Sequence, residues 1–119
     1  MHEYSVVQAL MEKIESLALE HQATAISKVI VKIGVMSGIE PHLLELAFST
    51  FQENTICRDA EFVMDIQAVV VLCHNCHKKT ELKKNHYICP LCQSPDLKVI
   101  DGEEVLLMHL EIQSQVEDN

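Results

Sequence analysis

Apolar positions open the chain at a helical period. Val7, Leu10, Ile14, Leu17 and Ala18 recur at spacings of three and four, which stacks them on one face of a helix predicted over about residues 4 to 21. The pattern then changes to alternation. Across residues 27–33, Val29, Val31 and Ile33 fall on one side and Lys28, Ile30 and Lys32 on the other, as in a half-buried strand, and Gly34 closes it. Met36-Ser37-Gly38 reads as a turn. Glu40-Pro41 then marks a helix entry, because proline fits the first helical position and an acid suits the positive end of the helix dipole. Leu43, Leu44, Ala47, Phe48 and Phe51 give this second helix its apolar stripe.

Alternation returns at Phe62, Met64 and Ile66 against Glu61, Val63, Asp65 and Gln67, and Val69-Val70-Val71-Leu72 carries this second strand into a cysteine-containing stretch. A third strand is predicted over residues 105–112 and, from its apolar content, is expected to be more buried than most. The second strand enters the cysteine stretch and the third leaves it after the Asp101-Gly102 turn. The two are therefore expected to pair antiparallel with the cysteine module projecting from their ends. The fold class that results is α+β: two helices packed on a small three-stranded sheet, with an inserted four-cysteine zinc-ribbon lobe. Residues 1–68 together with 101–119 form one unit and residues 69–100 the other.

Composition narrows the function classes. The 119 residues are 48% hydrophobic but only 4% aromatic with no Trp, enough for an aliphatic interior and little for stacking bases or sugars. Nine Lys and Arg stand against 18 Asp and Glu, a formal charge of −9 that opposes long-range attraction to nucleic acid or an anionic membrane and suits a cationic partner or a metal ion. The charge is uneven: Lys78, Lys79, Lys83, Lys84 and Lys98 gather around the cysteines, leaving a local basic face. No secretory leader pattern is present, and the longest uncharged apolar run, residues 68–73, is far too short to span a bilayer, so a cytoplasmic location is expected.

Cys73-His74-Asn75-Cys76 and Cys89-Pro90-Leu91-Cys92, with twelve residues between them, repeat a C-x-x-C pair at about zinc-ribbon spacing. In a reducing compartment such pairs are thiolate ligands rather than disulfides. Two residues between ligands let one tight knuckle present both sulfurs to one ion, and two facing knuckles complete a tetrahedron with no position open to substrate. A metal so enclosed is structural, stabilising isolated finger peptides by roughly 10–16 kcal/mol. Zinc is the expected occupant, and iron fits the same four-sulfur cage. His74, His77 and His86 lie in or beside the knuckles and read as exposed polar-loop residues before they read as ligands, while Cys57 stands apart as a buried small hydrophobe.

A second donor set lies at Met1-His2-Glu3. A histidine near a terminus is ordinarily just solvated, yet the chemistry here suits a metal. With His in second position, the Met1 amine, the His2 backbone nitrogen and the His2 imidazole close adjacent chelate rings, and the Glu3 amide supplies a fourth corner. Four nitrogens in a plane suit Ni(II) or Cu(II) rather than Zn(II). A bulky His2 discourages removal of Met1, and the first amides of a helix have no intrahelical partner, which frees them to lose a proton to a metal. Glu3 and Glu40 add carboxylates to the same candidate site.

Taken together, Met1-His2-Glu3 opening an amphipathic helix, Lys32-Ile33-Gly34, the turn at residues 37–40 and the two C-x-x-C pairs resemble the HypA/HybF family of hydrogenase maturation nickel chaperones over nearly the whole chain. The resemblance implies that His2 is the nickel ligand and that Cys73, Cys76, Cys89 and Cys92 hold structural zinc. It implies delivery of Ni(II) to the [NiFe]-hydrogenase large subunit, with a HypB-type GTPase as helper and urease and its accessory proteins as further partners. No catalysis, nucleic acid or membrane enters that picture. The competing reading is a zinc-ribbon adaptor or nucleic-acid-binding module using the lysine-rich stretch, which the acidic net charge and the absence of arginine there oppose. A monomer or weak homodimer is expected, since an exposed edge of a three-stranded sheet is open to a second copy.

Overall fold

The computed structural model describes residues 3–82 and 87–114. The first helix, α1, spans Glu3–Glu20 and buries Val7, Leu10, Met11, Ile14 and Ala18, the predicted stripe with Met11 added and Leu17 only partly buried. Gln22, in a left-handed conformation at φ 56°, turns the chain out of the helix. Strand β1 follows over Ala23–Gly34, longer than the alternation alone predicts. Helix α2 covers Pro41–Gln52 with Glu40 as its N-cap, its carboxylate accepting from the His42 N–H and Pro41 in the first turn.

Strand β1 lies in the middle of a three-stranded sheet, between β2 (Glu61–Gln67) and β6 (Val105–Ser114). It pairs parallel with β2, from Lys28 opposite Glu61 to Gly34 opposite Gln67, and antiparallel with β6, from Ala23 opposite Ser114 to Ile33 opposite Val105. The expected pairing of the second strand with the third is therefore not made. The strand with the cleanest apolar alternation takes the centre: Val29, Val31 and Ile33 of β1 are almost wholly buried. A parallel neighbour needs a long crossover, and the segment containing α2 supplies it. Both helices contribute side chains to one core with the sheet, in which Phe48 stacks on Phe62 at 4.2 Å between ring centroids, and at its margin the exposed Tyr4 meets Phe51 edge-on at 5.5 Å.

The second predicted strand also does not run on unbroken into the cysteines. It stops at Gln67, and Val70–Cys73 is a separate strand, β3, at the centre of a second sheet with β4 (Lys79–Glu81) and β5 (Leu97–Asp101), both antiparallel to it. This smaller sheet has its own core of Val69, Val71 and Leu82, with Leu97 and Val99 packed against it. Nor is the third predicted strand deeply buried. Most of β6 is exposed, with only Val105, Leu107 and Leu110 packing against the core, because the helices cover one face of the sheet and β6 is its edge.

The two sheets meet at a backbone seam. Gly34 N–H donates to Glu104 O, Val35 N–H to Gln67 O and Met36 N–H to Gly102 O, so the end of β1 holds both chain crossings between the sheets. Lys32 Nζ reaches the Asp101 carboxylate at 2.9 Å across the same junction. That contact, with the Gly102 N–H donated to the same side chain, holds the Asp101 carboxyl below its ordinary pKa. The molecule measures 56 × 36 × 18 Å and has a radius of gyration of 17.9 Å, against about 13–14 Å for a compact domain of this length.

Candidate metal centre

Two turns of the same construction carry the cysteines. In the first, Cys73 N–H donates to Lys78 O, His77 N–H to Cys73 O, and the Asn75 N–H points at Cys73 Sγ at 3.3 Å. In the second, Cys89 N–H donates to Ser94 O, Gln93 N–H to Cys89 O, and the Leu91 N–H points at Cys89 Sγ at 3.4 Å. His77 and Gln93, each directly after the second cysteine of its pair, both take left-handed conformations, φ 60° and 66°. A C-x-x-C segment closes this way because the turn is short enough for its own amides to face the first sulfur. β3 delivers the first turn and β5 leads away from the second, so pairing of these strands brings the knuckles face to face.

The four sulfurs form one cluster with every pair within 4.8 Å. Cys73 Sγ lies 3.5 Å from Cys92 Sγ, and Cys76 Sγ lies 3.8 Å from Cys89 Sγ. These separations are far beyond a disulfide bond of about 2.05 Å. A tetrahedron of sulfurs around zinc, at about 2.3 Å from the metal, has edges of about 3.8 Å, so the donor set fits a four-thiolate ion and leaves no ligand position open.

Hydrogen bonding already favours the charged form at two of the thiols. The Asn75 side-chain amide, 3.4 Å from Cys92 Sγ, and then the Ser94 backbone pull the Cys92 thiol down to about 6. Cys89 is lowered as well, first by the Cys92 backbone N–H. Cys76 has the opposite fate: the Lys78 backbone N–H lowers it, but burial and the neighbouring sulfurs outweigh that bond and push it up to about 11. A divalent cation entering the cluster releases the protons that remain on it, since thiolates rather than thiols are the ligands.

His74 turns away from the cluster. Its Nδ1 lies 3.0 Å from Asp96 Oδ1, and its backbone N–H donates to Asp96 O, so it ties the first knuckle to the start of β5. His77 is exposed, and among the described residues the donor group consists of the four cysteines alone. His86, Lys83 and Lys84 lie outside the described residues, whereas Lys78, Lys79 and Lys98 are exposed around the module. Cys57 is fully buried in the main core, as expected of a cysteine that stands apart from the two pairs.

Met1 and His2 also lie outside the described residues, but their neighbours in the predicted second site do not. Glu3, the first residue of α1, is 8% exposed, and its carboxylate accepts the backbone N–H of Glu40 at 3.1 Å. Glu40 in turn caps α2 through the His42 N–H at 3.3 Å. Two acids 37 positions apart thus meet where both helices begin, and the turn preceding Glu40 is held by the Ile39 N–H donated to Ser37 Oγ. Sequence reasoning grouped Glu3 with Glu40 but missed Asn75 and Asp96. Asn75 lies inside the first C-x-x-C, the one local signal that marked it.

The family model described as hydrogenase/urease nickel incorporation, metallochaperone, hypA matches residues 1–112. A hydrogenase maturation factor HypA from Shewanella sp. (strain MR-7) is 49% identical over 117 residues, covering 98% of this chain and 99% of the relative. One of the same name from Shewanella oneidensis is 48% identical over 118 residues, 99% of each chain. The solution structure of the Ni metallochaperone HypA from Helicobacter pylori superimposes with a TM-score of 0.72 at 32% identity, over 97% of this chain and 100% of that one. With a family match over nearly its full length and the same architecture in a solved member, this chain belongs to the HypA family of hydrogenase maturation factors and nickel metallochaperones.

Proposed function

We propose that this protein binds Ni(II) at its N-terminus and delivers it to a nickel enzyme during metallocentre maturation, with the [NiFe]-hydrogenase large subunit as the main client and urease as a further one. The Met1 amine, the His2 backbone nitrogen and imidazole, and the Glu3 amide are the nickel donors, and Glu40 contributes a nearby carboxylate. Cys73, Cys76, Cys89 and Cys92 hold zinc as a structural ion. Residues 1–68 with 101–119 make the nickel-binding unit, and residues 69–100 the zinc-binding one. The protein acts in the cytoplasm by transfer rather than catalysis, with a HypB-type GTPase as partner.

One observation carries this reading: the four-thiol cluster offers a closed donor set, which in a chain of a nickel-incorporating family supports a separate site for the ion to be released. The meeting of Glu3 and Glu40 beside the chain start supports the place. Thiolates would retain nickel, whereas a terminal set of nitrogens is dismantled stepwise as its imidazole and amides regain protons. By the Irving–Williams order Cu(II) binds such a set more tightly in vitro, so selectivity in the cell comes from metal availability and from the partner.

Titration of the untagged protein with Ni(II), alongside His2→Ala, tests the assignment. One equivalent of nickel with the d–d absorption of planar coordination is expected, lost in His2→Ala, with one zinc retained in both by elemental analysis. Equal nickel binding by the variant would remove the N-terminal site.

A further inference from the structure

The two knuckles are built alike, so a difference between their sulfurs has a local cause. Cys73 and Cys89, the first of each pair, are buried and face amide N–H groups of their own turns: those of Asn75 and Cys76 for Cys73, and that of Leu91 for Cys89. Cys76 and Cys92, the second of each pair, are both half-buried, and each meets a backbone N–H just beyond it, Lys78 and Ser94 respectively. The contacts across the cluster correspond as well, Cys73 with Cys92 at 3.5 Å and Cys89 with Cys76 at 3.8 Å between sulfurs.

One bond breaks this likeness. Asn75 Nδ2 donates to Cys92 Sγ at 3.4 Å, from the opposite knuckle. The residue at the same place in the second knuckle is Leu91, whose side chain has no polar atom to offer Cys76. Among the described residues, no side chain other than Asn75 and the cysteines themselves is hydrogen-bonded to any of the four sulfurs. Asn75 is exposed, so core packing does not aim it. Its neighbours do: His74 is tied to Asp96 by both its ring and its backbone N–H, and Cys76 stands among the ligands.

A hydrogen bond donated to a metal-bound thiolate draws electron density from the sulfur, which stabilises its charge and weakens it as a nucleophile. Burial shields Cys73 and Cys89, leaving Cys76 and Cys92 to be told apart. We propose that the Asn75 amide makes the four ligands unequal, protecting Cys92 and leaving Cys76 as the thiolate that soft electrophiles reach first. The site then opens through Cys76, on the side away from the Asn75 bond. This inference rests on zinc occupying the cluster.

Limited alkylation of the full-length, zinc-loaded protein with N-ethylmaleimide, followed by peptide mass mapping, tests it. Each addition forms one carbon–sulfur bond, a solvent proton completes the succinimide, and the sulfur gives up its zinc. Cys76 should be modified first, about fivefold or more ahead of Cys92. Asn75→Leu, which copies the second knuckle, should raise Cys92 to the rate of Cys76 and speed zinc loss to a chelator by about tenfold or more. Leu91→Asn, also at an exposed position, should slow Cys76 instead. Zinc content and far-UV spectra control for folding, and if Asn75→Leu fails that control Leu91→Asn carries the test. Protein that retains no zinc would remove the metal assignment and this inference with it. With one zinc bound, Cys92 reacting first, or an order unchanged by the substitution, would overturn the inference alone.

Discussion

Five cysteines in one chain fall into two chemistries that burial alone does not distinguish, since Cys57, Cys73 and Cys89 are all buried. Neighbours decide. Cys57 lies among aliphatic side chains, and burial, with the charge of Glu15 adding to it and a hydrogen bond from Thr55 opposing it, pushes its thiol up to about 11. At neutral pH it has almost no thiolate and should resist both metals and alkylating reagents. Cys92, held down to about 6 by the Asn75 amide, is poised as a ligand. Cys57→Ala should therefore keep one zinc and lose about 1–3 kcal/mol of stability through lost packing. Cys92→Ala should lose zinc instead, and because it opens a closed four-ligand site, the loss should not be recovered by excess metal at moderate concentration. Elemental analysis with denaturant titration of the two variants checks this.

At the level of elements, the seam at the end of β1 is the least forgiving place in the fold. A methyl group added at Gly34 would fall 2.2 Å from Gly102 O and 2.8 Å from Glu103 N, all backbone atoms, with no flexible side chain to move aside. Gly38 sits at φ +80° with nothing within 4 Å, so alanine there meets only backbone strain. Denaturant titration should then show Gly34→Ala losing about 3 kcal/mol or more and Gly38→Ala about 1 kcal/mol, although both lie in the same short segment. What sequence pattern could and could not foretell follows the same division. The helices and β1 were legible because their signal is periodic and local, and the metal cluster because cysteine spacing encodes a turn. The break after Gln67 was hidden inside a run of apolar residues, Val69 to Leu72, that serves a different sheet from β2. Strand order was hidden too, because nothing local says that β1 outcompetes β2 and β6 for the centre. The meeting of Lys32 with Asp101 is a long-range contact that no window of sequence contains, whereas Glu3 and Glu40 were joined through the chemistry of the candidate site.

Across the whole molecule, two cores of very different size share one chain. Among the described residues the main core gathers thirteen buried ones from both helices, the central strand and the loop bearing Cys57, enough to hold an α+β layer without help. Among the described residues the apolar cluster of the smaller sheet holds Val69, Val71 and Leu82, with Leu97 and Val99 partly buried against it, far less than a free-standing domain needs. An ion in the four-thiol cluster would supply the remaining stability, since zinc binding in comparable peptides contributes roughly 10–16 kcal/mol, ample for a module of this size. Removing the metal with a strong chelator should consequently melt β3, β4 and β5 while α1, β1 and β2 stay folded. Hydrogen exchange before and after chelation reads this directly: amides of Val71 and Leu72 should lose protection, and those of Val29 and Val31 should keep it. The seam makes the boundary a sharp test, because Met36 N–H is bonded to Gly102 O and Lys32 to Asp101, so a disturbance that crossed it would reach the turn before Glu40 and then the Glu3 carboxylate. If protection at Val29 and Val31 collapses together with that of the small sheet, the chain is one cooperative unit and zinc supports the N-terminal end as well. If it holds, the four-cysteine module and the end of the fold where Glu3 meets Glu40 are stabilised separately, as the proposed release of one ion beside a retained one would require.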